Sequence, residues 1–431
     1  MAKPSSRVNS ARGRRRKKWG AGAALAVMAT LLVACSSSSA TPVLTWYINP
    51  DTGGQDAVAK NCSTNEYTIQ TQVLPTDAGQ QRIQLARRLA AGDSSIDIMS
   101  IDPPYTAEFS NAGYLAPIPT SLADKLKKQS FGGATAAATW NGKLVAAPFW
   151  SNTQVLWYRK SFVDKAGIDM SKPVTWDQVI KAASDNGGKV AVQANKYEGY
   201  SVWINALVSG AGGHVVEDAQ KGVDAKIAVN SPAGEDAAKV ISELAHSKAA
   251  PADMSVSTEG TAGATFGADS GAFMVNWTYI YLYGYPDTPV AKDIGYARYP
   301  QTVAGEESRP PYGGIGLGVS KFSKHVDQAM KAVECLTSPK NQAVNAEITG
   351  NMPASAAGYD APAIKKAYPA DLLKLFQDSV DTAAPRSVTP YWSDISGGLL
   401  STWHPPASVN SSTPQKSATF IHNVLQGDSL L

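Results

Sequence analysis

The chain has 431 residues, 43% of them hydrophobic, with 39 Lys and Arg against 36 Asp and Glu and a net charge of +3. That length and apolar content allow two domains with substantial cores. Eight of the positive side chains precede residue 35 and no acidic residue precedes Asp51, so the +3 becomes −5 for the remainder, which excludes the basic footprint of a nucleic-acid binder.

The eight cations are Lys3, Arg7, Arg12, Arg14, Arg15, Arg16, Lys17 and Lys18, and an apolar run from Trp19 to Ala34 follows them. The run is too short to span a bilayer comfortably. A basic head, an apolar middle and small residues before a cut form a secretory signal, here residues 1–34. The stretch Leu32-Val33-Ala34-Cys35 resembles a bacterial lipobox. That resemblance implies that Cys35 becomes the lipidated first residue of the mature protein; an ordinary signal with an incidental Cys is the alternative. Residues 35–42, with the serine run from Ser36 to Ser39, then read as the lipidated Cys and a flexible tether. The expected location is extracytoplasmic, with a lipid anchor in the cell membrane. Cys62 and Cys335 remain to be assigned. An oxidising compartment permits a disulfide between them, worth about 5 kcal/mol in the chain-entropy model, with two separate buried thiols as the alternative.

Residues 43–48 are rich in strand formers, and the segment Asn49-Pro50-Asp51-Thr52-Gly53-Gly54 breaks them. A helical segment runs toward Cys62, and residues 67–73 alternate as a second strand. Residues 80–91 place Ile83, Ala86 and Ala90 on one helical face, and Gly92 ends that helix. Residues 96–101 read as a third strand. This strand–helix alternation predicts an α/β lobe with a largely parallel sheet. Ligands of such sheets sit beyond the carboxyl ends of the strands. Asp51 and Asp102 both fall there, although a turn or cap role would place an Asp there equally well.

Two apolar stretches, 144–148 and 155–158, bracket the polar interruption Trp150-Ser151-Asn152-Thr153-Gln154, as expected of a chain crossing between lobes. Helices are expected near 176–183, 203–208 and 232–245. A strand at 271–277 leads into the aromatic cluster Trp277, Tyr279, Tyr281, Tyr283 and Tyr285. Residues 312–319 read as a glycine-rich strand to which something approaches closely. A helix at 327–336 bears Cys335, residues 350–353 form a turn, and mostly helical segments complete the chain. No fixed-period repeat is present.

The motifs of common enzymes are missing: no Gly-x-Ser-x-Gly elbow, His-Glu-x-x-His, P-loop or Cys-x-x-Cys occurs. The five His residues are scattered and show no metal-ligand spacing, so neither metal nor cofactor is expected. Asp97, Asp102, Glu198 and Glu259 could supply a glycosidase pair, but carboxylates equally accept hydrogen bonds from sugar hydroxyls without chemistry. Ten Trp and seventeen Tyr offer flat faces suited to carbohydrate. Trp157 and Tyr158 read as core, and Trp150 and Trp203 fit core or ligand contact equally.

Several segments together carry a family resemblance: 81–89, Asp102 with 106–109, 152–159, 192–195, 275–277, 313–315, and Pro385-Arg386 followed by Thr389-Pro390. In order and spacing the chain resembles the extracytoplasmic sugar-binding lipoproteins of ABC importers, the maltose-binding-protein-like family, and within it the actinobacterial trehalose-binding lipoproteins. The resemblance implies an α/β periplasmic-binding-protein type II fold, with two lobes joined by three hinge crossings and the ligand in the cleft. The implied N-terminal lobe is 43–150 with 313–352, and the C-terminal lobe is 151–312 with 353–431. Position by position it implies ligand contacts from Asp51, Gln81 and Asp102 in the first lobe and Asn152 at the first crossing. Glu259, Trp277 and Arg386 would come from the second lobe, and Gly314 and Ile315 from the returning strand. Thr258 stands where the relatives carry a second acid, and the first loop also departs from theirs. The implied function is binding, not catalysis: a monomeric receptor that delivers trehalose or a related α-linked disaccharide to a permease with separate ATPase subunits. A tethered glycoside hydrolase, or a receptor of the same fold for a glycerol phosphodiester or modified sugar, is the alternative.

Overall fold

The computed structural model describes residues 41–431; the expected signal segment 1–34, Cys35 and most of the expected tether lie outside the described residues. The main sheet holds β1 Val43–Ile48, β2 Thr68–Val73 and β3 Ile98–Ile101 and, beyond the hairpin of β4 Thr139–Trp140 with β5 Lys143–Leu144, β6 Ala147–Arg159 and β7 Lys189–Ala191. After a second hairpin, β8 Val216–Glu217 with β9 Lys226–Ile227, it adds β10 Gly271–Trp277, β11 Ile294–Ala297 and β12 Tyr312–Val319. The order is β2-β1-β3-β12-β6-β10-β7, and β11 also pairs with β6.

Alternation sets the faces of these strands. In β1, Leu44, Trp46 and Ile48 enter one apolar cluster, whereas Tyr47 between them enters another. That is the period of two expected of a strand covered on both sides. β1 runs parallel to β2 and β3, but β12 runs antiparallel to β3, so the sheet is mixed where the sequence predicted a largely parallel one. β12 arrives from the other lobe, which reverses its direction.

β6 joins the lobes. Its first half pairs with β12, from Thr153 opposite Tyr312 to Ala147 opposite Leu317. Its second half pairs with β10 and β11. A third segment lies alongside: Trp150 bridges to Pro353, and the Ser151 amide donates to the Met352 carbonyl at 3.0 Å. The polar stretch 151–154, read from the sequence as an interruption between two apolar stretches at a crossing between lobes, continues the strand without a break. Its side chains find buried partners instead: the Ser151 hydroxyl donates to Tyr312 Oη at 3.1 Å, Thr153 to the Pro311 carbonyl at 2.9 Å, and Gln154 to Gln193 at 2.6 Å. Buried polar side chains persist only with such partners.

One core packs β1, β3 and β12 against the helices Gly54–Cys62 and Val326–Leu336. Cys62 and Cys335 are joined there by a disulfide, with their Cα atoms 5.8 Å apart. The second lobe is built around the helix Glu198–Gly210, which is buried on nearly every side. Trp203 on that helix is core, 5.5 Å from the Trp176 ring centre, and Trp157 is fully buried.

Candidate functional site

A cavity of about 460 Å³ opens where the strand ends of the two lobes meet. That is within the range of small-molecule sites. The first turns of three helices reach it, Ala78–Ala90 from one lobe and Glu198–Gly210 and Glu259–Gly267 from the other, together with residues 49–52 of the loop that enters the helix Gly54–Cys62. Acidic side chains are stabilised at helix N-termini, where unpaired amides and the dipole favour negative charge. Asp51, Asp77, Glu198 and Glu259 therefore line the cavity for a local reason as well as any functional one.

All nine residues singled out in the sequence as ligand contacts lie on this cavity. They differ in how much bonding capacity the protein leaves them. Asp51 Oδ1 accepts from the Gly53 amide and Oδ2 from the Gln55 amide, both at 2.9 Å, which fixes the entry to the first helix. Gln81 accepts from Asn49 and donates to the Pro75 carbonyl, both at 2.7 Å. Asn152 accepts from Thr278 Oγ1 at 3.2 Å and the Met352 amide at 3.0 Å, and donates to Asn351 at 2.8 Å. One N–H of the Asn152 amide remains. These three side chains hold the walls of the cavity in place.

Trp277 projects from the end of β10 against β12. A Cβ on Gly313 would sit 2.6 Å from Trp277 Cζ3 and 2.8 Å from Cη2, so the missing side chain of Gly313 makes room for the indole. Gly314 has φ +142°, and a Cβ there would meet the Trp150 carbonyl and lie 3.2 Å from Ser151 Cα. Only glycine allows β12 to run this close to β6. Ile315 is 6% exposed and packs into the first-lobe core while its edge lines the cavity.

Arg386 closes one end. It is 6% exposed. Its Nη2 donates to Asp102 Oδ1 at 2.7 Å, and its Nη1 to Asp102 Oδ2 at 3.2 Å and Glu198 Oε1 at 2.8 Å. Asp102 follows β3 of the first lobe, so this fork spans the cleft. Burial opposes the charge on Arg386, but Asp102 and Glu198 more than offset it and hold its pKa above the usual value. Burial pushes the Asp102 pKa up, and Arg386 only partly restores it. Glu259 accepts from the Tyr197 hydroxyl at 2.9 Å. Burial raises the Glu259 pKa, against the bonds from its own amide, Tyr197 and Trp277. Tyr279 is pushed up to about 12 by burial and by Glu259.

Tyr197 and Glu198 were not among the predicted contacts, although Glu198 was named as a carboxylate able to serve a glycosidase. Neither sits in a motif, and their partners are remote in sequence. The four carboxylates weighed for hydrolysis do not assemble as a free pair. Asp97 is bonded to the Thr45 amide and the Ser323 hydroxyl away from the cavity, Asp102 and Glu198 share one guanidinium, and Glu259 is held by Tyr197. No group of His, Cys, Asp and Glu among the described residues could hold a metal ion.

A two-lobed α/β fold with a cleft at strand ends, and polar side chains facing it from both sides, defines a binding protein. Residues 55–343 match the family model of bacterial extracellular solute-binding proteins, and the chain belongs to that family. The family binds solutes and is not one of enzymes. A Deinococcus radiodurans protein named a probable ABC transporter-binding protein is 28% identical over 349 residues, covering 78% of this chain and 80% of that one. An Agrobacterium fabrum sn-glycerol-3-phosphate-binding periplasmic protein, UgpB, is 30% identical over 110 residues, 24% of this chain and 25% of that one. The maltose-bound structure of T. maritima MalE3 superposes with a TM-score of 0.78 at 23% identity, covering 89% of this chain and 99% of that one. No helix among the described residues is long and apolar enough to cross a membrane.

Proposed function

We propose that this protein is the receptor of an ABC importer, binding trehalose or a closely related α-linked disaccharide between its lobes and delivering it to a permease with separate ATPase subunits. Cys35 carries the lipid that tethers it, as a monomer, to the outer face of the membrane. The lobes are 43–150 with 313–352 and 151–312 with 353–431, hinged where residues near 150, 314 and 353 lie side by side. The sugar is contacted by Asp51, Gln81, Asp102, Asn152, Glu259, Trp277, Gly314, Ile315 and Arg386.

The observation that carries this reading is the charge balance of the cavity. Among the described residues Arg386 is the one cation in its lining, and Asp102 and Glu198 already pair with it. A phosphate would enter beside Asp51, Asp77 and Glu259 with no unpaired cation to meet it. An uncharged polyol instead uses carboxylates as acceptors, the remaining N–H groups as donors, and the face of Trp277 for a ring. The match to UgpB raises glycerol phosphate as a second solute, and this charge balance argues against it. Isothermal calorimetry of the mature protein against trehalose, maltose, sucrose and sn-glycerol 3-phosphate tests the assignment. Heat with trehalose and none with the phosphate is expected; the reverse overturns it.

A further inference from the structure

We propose that Glu198 is a positioning residue of the cleft: it makes no ligand contact itself but holds the Arg386 guanidinium in the orientation that meets both Asp102 and the solute. The inference rests on the binding reading above and deepens it. A carboxylate has about four acceptor positions. In Glu198 all are taken. Oε1 accepts from Arg386 Nη1 at 2.8 Å and Trp392 Nε1 at 2.7 Å, and Oε2 accepts from Ser396 Oγ at 2.6 Å and Tyr105 Oη at 3.3 Å. The residue lines the cavity with its acceptors spent, and it is 7% exposed.

Arg386 is the opposite case. Of its five N–H groups, three bond to Glu198 and Asp102, and Nε is buried with no partner among the described residues. One Nη2–H is left for a solute. Its direction is set by the plane of the guanidinium, and the Nη1 bond to Glu198 helps fix that plane. When the lobes part, the bonds to Asp102 break and the bond to Glu198, within the same lobe, stays. Glu198 therefore keeps the fork oriented before the first lobe arrives. Tyr105 follows β3 in the first lobe, so its bond to Glu198 forms on the same closing motion. Its hydroxyl stays protonated, because burial and the neighbouring carboxylates push its pKa far up.

The test is Glu198→Gln. The amide oxygen can keep Trp392 but, without charge, holds Arg386 only weakly, while its NH2 donates to the Ser396 and Tyr105 hydroxyls, which can turn to accept. The fold is thus retained and one charge removed. Calorimetry with trehalose is run on wild type, Glu198→Gln, Arg386→Gln and the double variant. If Glu198 acts through Arg386, Glu198→Gln raises Kd tenfold or more alone and less than twofold in the Arg386→Gln background. Equal losses in both backgrounds, or none alone, overturn the proposal. A second measurement needs no ligand and no Arg386→Gln protein for its comparison: proton–nitrogen NMR of arginine-labelled wild type and Glu198→Gln. Separate Nη1 and Nη2 signals from a guanidinium held against rotation are expected in wild type and a merged signal in Glu198→Gln. Unchanged signals overturn the proposal. If wild type binds no trehalose, the solute assignment fails, and the NMR comparison still decides the role of Glu198.

Discussion

Adding one methyl group at each of two neighbouring glycines should produce two different failures. At Gly314 the nearest atoms the new Cβ meets are all backbone: the Trp150 carbonyl, with Ser151 Cα 3.2 Å away. Backbone cannot yield without parting β6 from β12. The φ of +142° adds strain for any residue with a side chain. Strain and overpacking of about 2 kcal/mol each sum to about 4 kcal/mol of lost stability for Gly314→Ala. At about 2 °C per kcal/mol for a chain this long, Tm falls by roughly 8 °C. At Gly313 the new Cβ meets only a side chain, Trp277 Cζ3 at 2.6 Å and Cη2 at 2.8 Å. The indole can swing away at a cost of about 1 kcal/mol. Doing so removes its face from the cavity. Loss of a stacking contact worth about 1.4 kcal/mol weakens sugar binding about tenfold. Scanning calorimetry and titration calorimetry on both variants separate these outcomes. A Gly313→Ala protein with wild-type affinity, or a Gly314→Ala protein with wild-type Tm, would refute the reasoning.

Three further outcomes follow from the same contacts. Asn152→Ala strands the buried Met352 amide, while the Thr278 hydroxyl keeps the Gly350 carbonyl at 2.8 Å, and should cost about 2 kcal/mol of stability by chemical denaturation; a loss below 1 kcal/mol, roughly the worth of one exposed hydrogen bond, would mean that this junction is solvated. Reducing or replacing the Cys62–Cys335 bridge, which spans 273 residues, should remove roughly 5 kcal/mol of stability yet leave sugar affinity unchanged, since neither sulfur lines the cavity. Tyr197→Phe removes a donor to the ionised Glu259, so the Glu259 pKa, already raised mainly by burial, should climb further in a carbon-13 carboxyl titration. The sign follows from linkage: a carboxyl whose pKa is raised by folding binds its proton more tightly when folded. Acidification from the raised value down to the ordinary one, about 4.3, therefore favours the folded state, and Tyr197→Phe extends that window upward. A downward shift would contradict the Tyr197 assignment.

The elements legible in the sequence were those with a clear local signal. β1 could be read because residues 43–48 are rich in strand formers, and the helix Ala78–Ala90 because Ile83, Ala86 and Ala90 fall on one helical face with Leu85 and Leu89 beside them. The helix Glu198–Gly210 was seen only as 203–208, because burial on all sides leaves no polar face to mark its first turn. The polar run 151–154 hid a strand, since the partners that satisfy it come from residues 193, 311 and 312. The cavity lining was legible through resemblance and not through chemistry. Nothing local distinguishes Asp51, whose oxygens serve helix amides, from Asp102, which reaches across the cleft to Arg386. The part played by Glu198 depends on residues 105, 386, 392 and 396, and only folding brings these together.

A structure of the mature protein crystallised with trehalose is the measurement that bears most directly on solute capture between the lobes. The account predicts one sugar ring against the Trp277 face and hydroxyls bonded to Asp102 and Arg386, with both lobes touching the same molecule. Sugar bound to one lobe alone, or outside the cavity bounded by those residues, would contradict it.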